Sequence, residues 1–199
     1  MKYIKLLRVK HYLKNALILL PFVSGHKLFE YKVYPFLALG ILSFSLVSSV
    51  IYIINDIQDV EKDRCHPVKC KRPIAAHEIS IKQAKNVCVI LLVISIGSII
   101  VLCLWMRSGW TAIVLAVYAL LNILYSILGW KNIPLLDIVV LVSGFVLRVI
   151  YGAMLVDVVV SDWLYLVVIM ASFYLALGKR RNELKKYMGE GTKSTRGVL

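Results

Sequence analysis

Residues 33–63 read VYPFLALGILSFSLVSSVIYIINDIQDVEKD and decide the fold, because a long uncharged run ends abruptly in acidic residues. The run between Lys32 and Asp56 holds 23 residues without a charged side chain. About 20 apolar residues are enough for an α-helix to cross the hydrocarbon core of a bilayer. The stretch therefore predicts a transmembrane helix with a cluster of carboxylates at one end.

The whole chain has the composition of an integral membrane protein. Of its 199 residues, 60% are hydrophobic, whereas soluble domains are about 45–50% apolar, and the mean hydropathy is +0.79. Two more uncharged runs, of 21 and 23 residues, lie between Lys85 and Arg107 and between Arg107 and Lys131. Each is long enough to predict a further span.

Three other apolar segments are shorter or interrupted. Residues 138–156 contain only Arg148 as a charge, residues 163–178 form a short run, and residues 15–26 contain a proline. We expect the first two to span the membrane and the last to be a broken or interfacial first helix. The sequence thus predicts an all-α polytopic membrane bundle with about six transmembrane helices, and residues 1–199 form a single membrane domain.

The basic residues orient this bundle. If the acidic cluster faces the cytosol, 20 of the 24 Lys and Arg residues lie on that side, as the positive-inside rule requires. We therefore expect a multi-pass protein of the cell membrane whose active face is cytosolic. A basic cytosolic face also explains the net charge of +13 without nucleic-acid binding. Three parts of the domain are expected at this face: an interfacial segment 1–14, a motif loop 56–85 and a basic tail 179–199.

The acidic cluster has the residue types of a magnesium site. If the helix continues beyond Asn55, then Asp56, Asp59 and Asp63 lie within about 60° of one another and cover roughly 10 Å of its axis. Mg²⁺ prefers one or two carboxylates together with waters and phosphate oxygens. The expected ligand is a metal-bound diphosphate. The alternative is an ordinary solvated helix end.

A basic loop follows the acidic cluster directly. Residues 64–74 read RCHPVKCKRPI and carry four cations within nine residues of Asp63. Positive charge beside carboxylates suits an anionic ligand that also carries metal, although a loop that merely obeys the positive-inside rule has the same composition. Zinc is a weaker alternative, because the spacing of the nearby thiols and imidazoles is not that of a zinc finger. Those residues are Cys65, His66, Cys70 and His77.

Arg148 is the one charge predicted inside a span. It follows Asp137 by eleven residues, which places both on one helix face, about 20° apart, with Arg148 about 16 Å deeper. An ionisable side chain at that depth is costly unless it faces a polar cavity. The alternative is a structural pairing, for example with Asn122 or Asn55.

The polar ends of other spans supply further candidates. Residues 179–186 read KRRNELKK where the last span reaches the cytosol. Arginine matches phosphate oxygens with its planar fork and lysine supplies point charge, although stop-transfer clusters have the same composition. Lys14, Asn15, Tyr125 and Lys131 are expected at the same membrane face.

Taken together, these motifs resemble a known family. Residues 55–63 (NDIQDVEKD) resemble the first aspartate motif of the UbiA superfamily of intramembrane prenyltransferases, which binds Mg²⁺ and diphosphate. Residues 66–75 (HPVKCKRPIA), 144–148 (GFVLR) and 179–184 (KRRNEL) are similar to the decaprenyl-phosphate phosphoribosyltransferase branch. The resemblance runs from about Leu7 to the last residue and keeps the motifs in the same order.

The resemblance implies a substrate pair. Members that use prenyl diphosphate carry a second aspartate motif where this chain has Lys179, Arg180, Arg181 and Glu183. A basic wall suits a phosphate without metal, as in phosphoribosyl pyrophosphate. The implied reaction transfers 5-phosphoribose to a polyprenyl phosphate and releases diphosphate, with Mg²⁺ as cofactor.

The expected site residues fall into two groups. The catalytic group holds the metal ligands and one buried cation: Asp56, Asp59, Asp63 and Arg148. The substrate-binding group holds polar residues of the cytosolic face: Lys14, Asn15, Asn55, Lys69, Lys71, Arg72, Tyr125, Lys131, Lys179, Arg180, Arg181 and Glu183.

One departure from the family pattern affects activity. Members normally have more spans than the six predicted here, so we expect a bundle without the helices that close its back. Such a chain is a fragment, an inactive product, or one that a homo-oligomer completes. Two other functions stay open: an aromatic or quinone-type prenyltransferase using prenyl diphosphate, and a non-catalytic membrane protein.

Overall fold

The computed structural model of the chain describes residues 2–128 and 133–190, and every regular element in these ranges is helical. In chain order the α-helices are α1 (Lys2–Leu6), α2 (Leu20–Ser24), α3 (Tyr34–Gln58), α4 (Val60–Arg64), α5 (Ile81–Met106), α6 (Trp110–Ile127), α7 (Pro134–Val156) and α8 (Asp162–Glu190). Short 3₁₀ turns lie at Lys27–Phe29, Tyr31–Val33 and Lys69–Lys71, and a longer 3₁₀-helix at Val9–Leu19.

Five of these helices are long and apolar enough to cross a membrane: α3, α5, α6, α7 and α8. Short connections join α5 to α6, α6 to α7 and α7 to α8, whereas residues 59–80, which include α4, separate α3 from α5. Helix α3 is central and contacts α5, α6 and α7, while α8 packs on α7. The predicted all-α polytopic bundle is confirmed.

The helix ends follow local sequence signals. Ser80 and Gln83 form a capping box at the start of α5, in which Gln83 N donates to Ser80 Oγ over 3.2 Å and Ser80 N donates to Gln83 Oε1 over 3.1 Å. Such reciprocal bonds satisfy two backbone donors that a helix start leaves free. Helices α5 and α7 each end at a residue with left-handed backbone, Arg107 and Asp157.

Small polar residues hold the bundle together from within. Helix α3 buries four serines, and each contacts a polar group of another segment. Ser43 Oγ lies 2.9 Å from Ser98 Oγ of α5, and Ser48 Oγ lies 3.3 Å from the hydroxyl of Tyr118 in α6. In a membrane, where lipid tails are as apolar as leucine, such bonds and close backbone packing supply much of the helix association.

The N-terminal segment crosses the bundle in an unusual geometry. After α1, eleven residues at about 2.0 Å rise and five at about 1.5 Å cover about 30 Å, the thickness of a hydrocarbon core. Arg8 lies beside Asp56 at one end, and a Cβ at Gly25 would lie 2.7 Å from Val158 at the other. This 3₁₀ crossing is long enough to be a sixth span beside the five long apolar helices.

Two sequence boundaries therefore differ from the structure. We expected an interfacial segment at residues 1–14 and a first span at residues 15–26. In the structure the 3₁₀-helix already begins at Val9, so the boundary at residue 14 falls inside it. The predicted tail 179–199 begins inside α8, which continues to Glu190. The motif loop 56–85 contains the end of α3, the short helix α4, a 3₁₀ turn and the start of α5.

Candidate functional site

The polar ends of four helices meet at one end of the bundle. Ser126 Oγ, at the end of α6, donates to Gln58 Oε1 at the end of α3 over 2.9 Å. Arg180 Nη2 of α8 lies 2.7 Å from Asp137 Oδ2 at the start of α7. Since Asp56 precedes Gln58 by less than one helical turn, the structure brings Asp56 and Arg180 to the same end of the molecule.

Two carboxylates and two guanidinium groups form the centre of this end. Arg72 Nη1 donates to Asp56 Oδ1 over 3.0 Å and also bonds Asp63 Oδ2, and Arg8 Nη2 bonds the same Asp56 Oδ1. Asp56 and Asp63 are only 3% and 2% exposed. Buried carboxylates are stable only when paired and hydrogen-bonded, and here two positive charges balance two negative charges. We call these four residues the charge cluster.

The prediction of one continuous helix through Asp63 is wrong. Helix α3 ends at Gln58, and Asp59 joins it to α4 with φ −95° and ψ 11°. The chain keeps helical bonding across the junction, since Asp59 N donates to Asn55 O over 3.0 Å and Asp63 N donates to Asp59 O over 2.8 Å. The three aspartates therefore belong to an interrupted helix, and Asp56 and Asp63 are the two that converge on Arg72.

The two carboxylates of the charge cluster are too few to hold a magnesium ion alone. They fit an ion that phosphate oxygens and water also coordinate. Within residues 2–128 and 133–190, no group of three or more His, Cys, Asp or Glu side chains is placed to hold a metal ion. This holds for the thiols and imidazoles of the basic loop as well, so the zinc alternative gains no support from the described residues. Two hard carboxylates that converge on one point match the one or two that Mg²⁺ takes when phosphate oxygens and water complete its shell.

Arg8 belongs to the charge cluster, although the sequence did not predict it as a site residue. Nothing in the sequence separates it from the other basic residues of the first fourteen, and its partner Asp56 lies 48 positions away. Its backbone is left-handed, with φ 52° and ψ 44°, and its guanidinium lies 5.1 Å from the centre of the Tyr52 ring. The bend at Arg8 turns the chain from α1 into the 3₁₀-helix.

Arg148 lies deep in the bundle, where it makes three hydrogen bonds to uncharged groups. Its Nε donates to Asn15 Oδ1 over 3.0 Å, its Nη2 to the Tyr118 hydroxyl over 3.0 Å, and its Nη1 to the Gly144 carbonyl oxygen. It is 4% exposed. Its guanidinium also lies 5.0 Å from the ring centre of Phe44. The structural pairing anticipated for Arg148 exists, but with Asn15 rather than with Asn122 or Asn55.

Asp137 is the second residue that the sequence analysis did not count as part of the site. The hydroxyl of Tyr125 donates to Asp137 Oδ1, while Arg180 pairs with Oδ2. Asp137 is 1% exposed and joins the ends of α6, α7 and α8. No clear signal in the sequence marks this role, because an acidic residue in the first turn of a helix is common and is stabilised by the helix dipole.

The other predicted site residues are distributed around this end. Asn55 is half-buried, Lys69 is half-buried, Lys71 and Arg181 are exposed, and Lys14 Nζ lies 5.8 Å from the centre of the Phe145 ring. Asn15 is not at the surface, since it is 2% exposed beside Arg148. Lys131 and the side chains of Lys179 and Glu183 lie outside the described part of the chain.

Comparison with known proteins fits this arrangement. The model of the UbiA prenyltransferase family matches residues 18–182. The chain belongs to the UbiA prenyltransferase family. A solved UbiA homologue from Archaeoglobus fulgidus, bound to GPP and Mg²⁺, superposes with a TM-score of 0.74 at 20% identity, over 96% of this chain and 66% of that one. This UbiA fold agrees with the multi-pass helix bundle.

Two curated relatives are more similar in sequence. Decaprenyl-phosphate phosphoribosyltransferase from Corynebacterium glutamicum is 36% identical over 193 residues, covering 96% of this chain and 57% of the relative. The enzyme of that name from Mycolicibacterium smegmatis is 36% identical over 194 residues, covering 96% of this chain and 59% of the relative. The chain therefore spans less than two thirds of these relatives.

Proposed function

We propose that this UbiA family member transfers 5-phosphoribose from phosphoribosyl pyrophosphate to a polyprenyl phosphate at the cytosolic face of the cell membrane. The single observation that carries the proposal is the charge cluster, in which Asp56 and Asp63 converge with Arg8 and Arg72 at the polar end of an apolar bundle. The similarity to two decaprenyl-phosphate phosphoribosyltransferases supports this choice of substrates.

The proposed reaction exchanges one C–O bond for another. The bond between ribose C1 and the diphosphate oxygen breaks, and diphosphate leaves with the bonding electron pair. An ionised oxygen of the lipid phosphate attacks C1 from the opposite face and forms the new bond. The lipid phosphate is already largely ionised near neutral pH, so the protein needs no strong general base.

The residues of the charge cluster have separate roles in this proposal. Asp56 and Asp63 would hold Mg²⁺, with Asp59 and Asn55 beside them in the interrupted helix. When bound, Mg²⁺ neutralises the charge that develops on the departing diphosphate, a contribution that is commonly the largest in such reactions. Arg72 adds a fixed positive charge to the same region and matches phosphate oxygens with its planar fork.

The basic residues around the cluster are proposed to bind the two remaining phosphates. Lys69 and Lys71 follow the acidic residues in the motif loop, and Arg180 and Arg181 end the last span. With Lys14, Tyr125, Lys131, Lys179 and Glu183 they form the rest of the substrate-binding set. Arg148 and Asn15 lie deeper in the bundle than these residues. We propose that their hydrogen bond supports the 3₁₀-helix Val9–Leu19 next to the acceptor.

Replacing one carboxylate tests the proposed function. Asp56→Asn should lower phosphoribosyl transfer by at least about 100-fold, as expected when a group that stabilises developing charge is lost. The measurement is transfer from labelled phosphoribosyl pyrophosphate to polyprenyl phosphate in membranes that contain the variant. Asp162→Asn makes the same substitution at the exposed start of α8, at the opposite end of the bundle, and should leave the rate unchanged.

The same assay separates the other candidate functions. Turnover of a prenyl diphosphate with an aromatic acceptor, and none with phosphoribosyl pyrophosphate, would replace the proposal by the aromatic or quinone-type reaction. Absence of turnover with either donor, in protein that is folded and inserted, would favour a non-catalytic membrane protein. A near-normal rate in Asp56→Asn would contradict the metal role of this residue.

A further inference from the structure

Arg8 contacts the carboxylate pair from outside the motifs that define the site. It belongs to the N-terminal segment, whereas Asp56, Asp63 and Arg72 belong to the motif loop. Among the hydrogen bonds of the described residues, its guanidinium makes only the one from Nη2 to Asp56 Oδ1. A guanidinium has five N–H donors, and the Arg8 side chain is 18% exposed. The Arg8 guanidinium therefore has further N–H groups that can donate to a bound ligand.

The segment around Arg8 is fixed in place by contacts with α3. Leu6 is fully buried and packs in a cluster with Ile53. Ser49 Oγ donates to Leu7 O over 2.9 Å, and the Tyr12 hydroxyl lies 2.7 Å from the same Ser49 Oγ. These contacts lie on both sides of Arg8 in sequence, so the side chain is presented to the carboxylates by a held backbone rather than by a loose tail.

The backbone at Arg8 is left-handed, with φ 52°, just after the short helix α1 ends. A residue other than glycine is uncommon in this conformation, because its Cβ crowds the carbonyl oxygen. Here the bend directs the guanidinium over the Tyr52 ring and onto Asp56.

The charge balance changes when a metal and a diphosphate bind. A metal ion held by Asp56 and Asp63 competes with Arg8 and Arg72 for the same carboxylate oxygens. Each guanidinium that loses its carboxylate needs another anionic partner, because a half-buried charge without one is unfavourable. A diphosphate supplies such a partner, and its adjacent oxygens match the arginine fork.

We propose that Arg8 is a diphosphate-binding residue, which the N-terminal segment adds to the site and which exchanges its bond with Asp56 for phosphate oxygens when the donor binds. This inference rests on the proposed function only in requiring a donor with a diphosphate group. It assigns a role in binding to a segment outside the aspartate motif and the basic loop.

The competing explanation predicts an effect of opposite sign. If Arg8 serves only as a counter-ion of Asp56 before the donor binds, its removal frees the carboxylate for the metal. Magnesium and diphosphate would then bind more tightly to the variant. If Arg8 binds the diphosphate itself, the variant binds it more weakly. The direction of the change in affinity therefore decides between the two.

The experiment measures binding of inorganic pyrophosphate, in the presence of Mg²⁺, to the full chain in lipid nanodiscs by titration calorimetry. Arg8→Gln should weaken pyrophosphate binding by at least about tenfold, the loss expected for hydrogen bonds to a charged group. Lys10→Gln is the matched control, because Lys10 is exposed on the same segment and its loss removes the same charge. The control should change the affinity less than about twofold, as single exposed charges contribute little.

Three results would overturn the proposal: an unchanged or tighter affinity in Arg8→Gln, an equal loss in Lys10→Gln, or no binding of pyrophosphate to the unaltered chain. Arg8→Lys provides a second test if Arg8→Gln does not fold. It keeps the charge but not the planar fork, so an affinity equal to that of the unaltered chain would contradict bidentate recognition of the diphosphate by Arg8. A chain that binds pyrophosphate through Arg8 but transfers no phosphoribose would refute the proposed function and leave this inference intact.

Discussion

Arg148 is a guanidinium in the middle of the bundle, and its three hydrogen-bond partners are the uncharged groups of Asn15, Gly144 and Tyr118. We expect Arg148→Met, which keeps much of the side-chain volume, to lower the free energy of unfolding by about 1–3 kcal/mol. The reason is that buried polar partners are left without a donor or acceptor. Thermal unfolding in detergent measures the change.

The control for this prediction is another arginine at a helix end. Arg107→Met removes an exposed guanidinium between α5 and α6, and we expect a change within about 0.5 kcal/mol. Equal unfolding temperatures for Arg148→Met and the unaltered chain would mean that the buried bonds contribute nothing. Arg148 would then be better explained by direct contact with a substrate.

The sequence predicted site residues where the signal is local, and missed them where the partner is distant. Asp56 and Asp63 were found because they occur together at the end of an uncharged run. Arg8 was not, since 48 residues separate it from Asp56. Asn15 was expected at the cytosolic ends of the helices, but Arg148, 133 residues further along the chain, bonds it inside the bundle. Only the tertiary structure supplies such pairings.

Among the elements, the 3₁₀-helix Val9–Leu19 depends most on its neighbour α7. A Cβ at Gly152 of α7 would lie 2.1 Å from the carbonyl oxygen of Ile18, so the two backbones touch. We expect Gly152→Ala to push the segment away and to destabilise the protein by about 1–3 kcal/mol, the usual cost of overpacking. Faster hydrogen exchange in residues 9–19, together with a lower unfolding temperature, measures the effect.

Gly97→Ala is the matched control for the packing of this element. Gly97 also lies within a long helix, α5, but a Cβ there would meet nothing within 4 Å. Alanine favours a helix over glycine by up to about 1 kcal/mol, so this variant should be as stable as the unaltered chain or slightly more so. If both variants lose stability equally, close approach at Gly152 is not the cause.

The long helices were predictable and the 3₁₀ crossing was not. Charge-free runs identified α3, α5 and α6 because burial in lipid excludes charge for the length of a span. The same reasoning failed for Val9–Leu19, where Lys10 and Lys14 interrupt the apolar run and the 3₁₀ geometry lets fewer residues cover the same distance. The interruption at Asp59 also escaped, since no glycine or proline marks it.

At the scale of the whole molecule, the distribution of charge predicts how the bundle sits in the membrane. Twenty of the 24 basic residues were assigned to the end that holds the charge cluster, and the positive-inside rule predicts that this end faces the cytosol. Cys65 is exposed at this end and Val159 is 96% exposed at the other. A membrane-impermeant maleimide should therefore label Cys65 only after intact cells are made permeable.

A variant with the thiol at the opposite end provides the reverse result. With Cys65, Cys70, Cys88 and Cys103 all replaced by serine, Val159→Cys provides the one thiol and should be labelled in intact cells. Labelling of Cys65 in intact cells, with Val159→Cys protected, would place the charge cluster outside the cell. A phosphoribosyl pyrophosphate donor made in the cytosol would not reach it there, and the proposed function would fail together with the orientation.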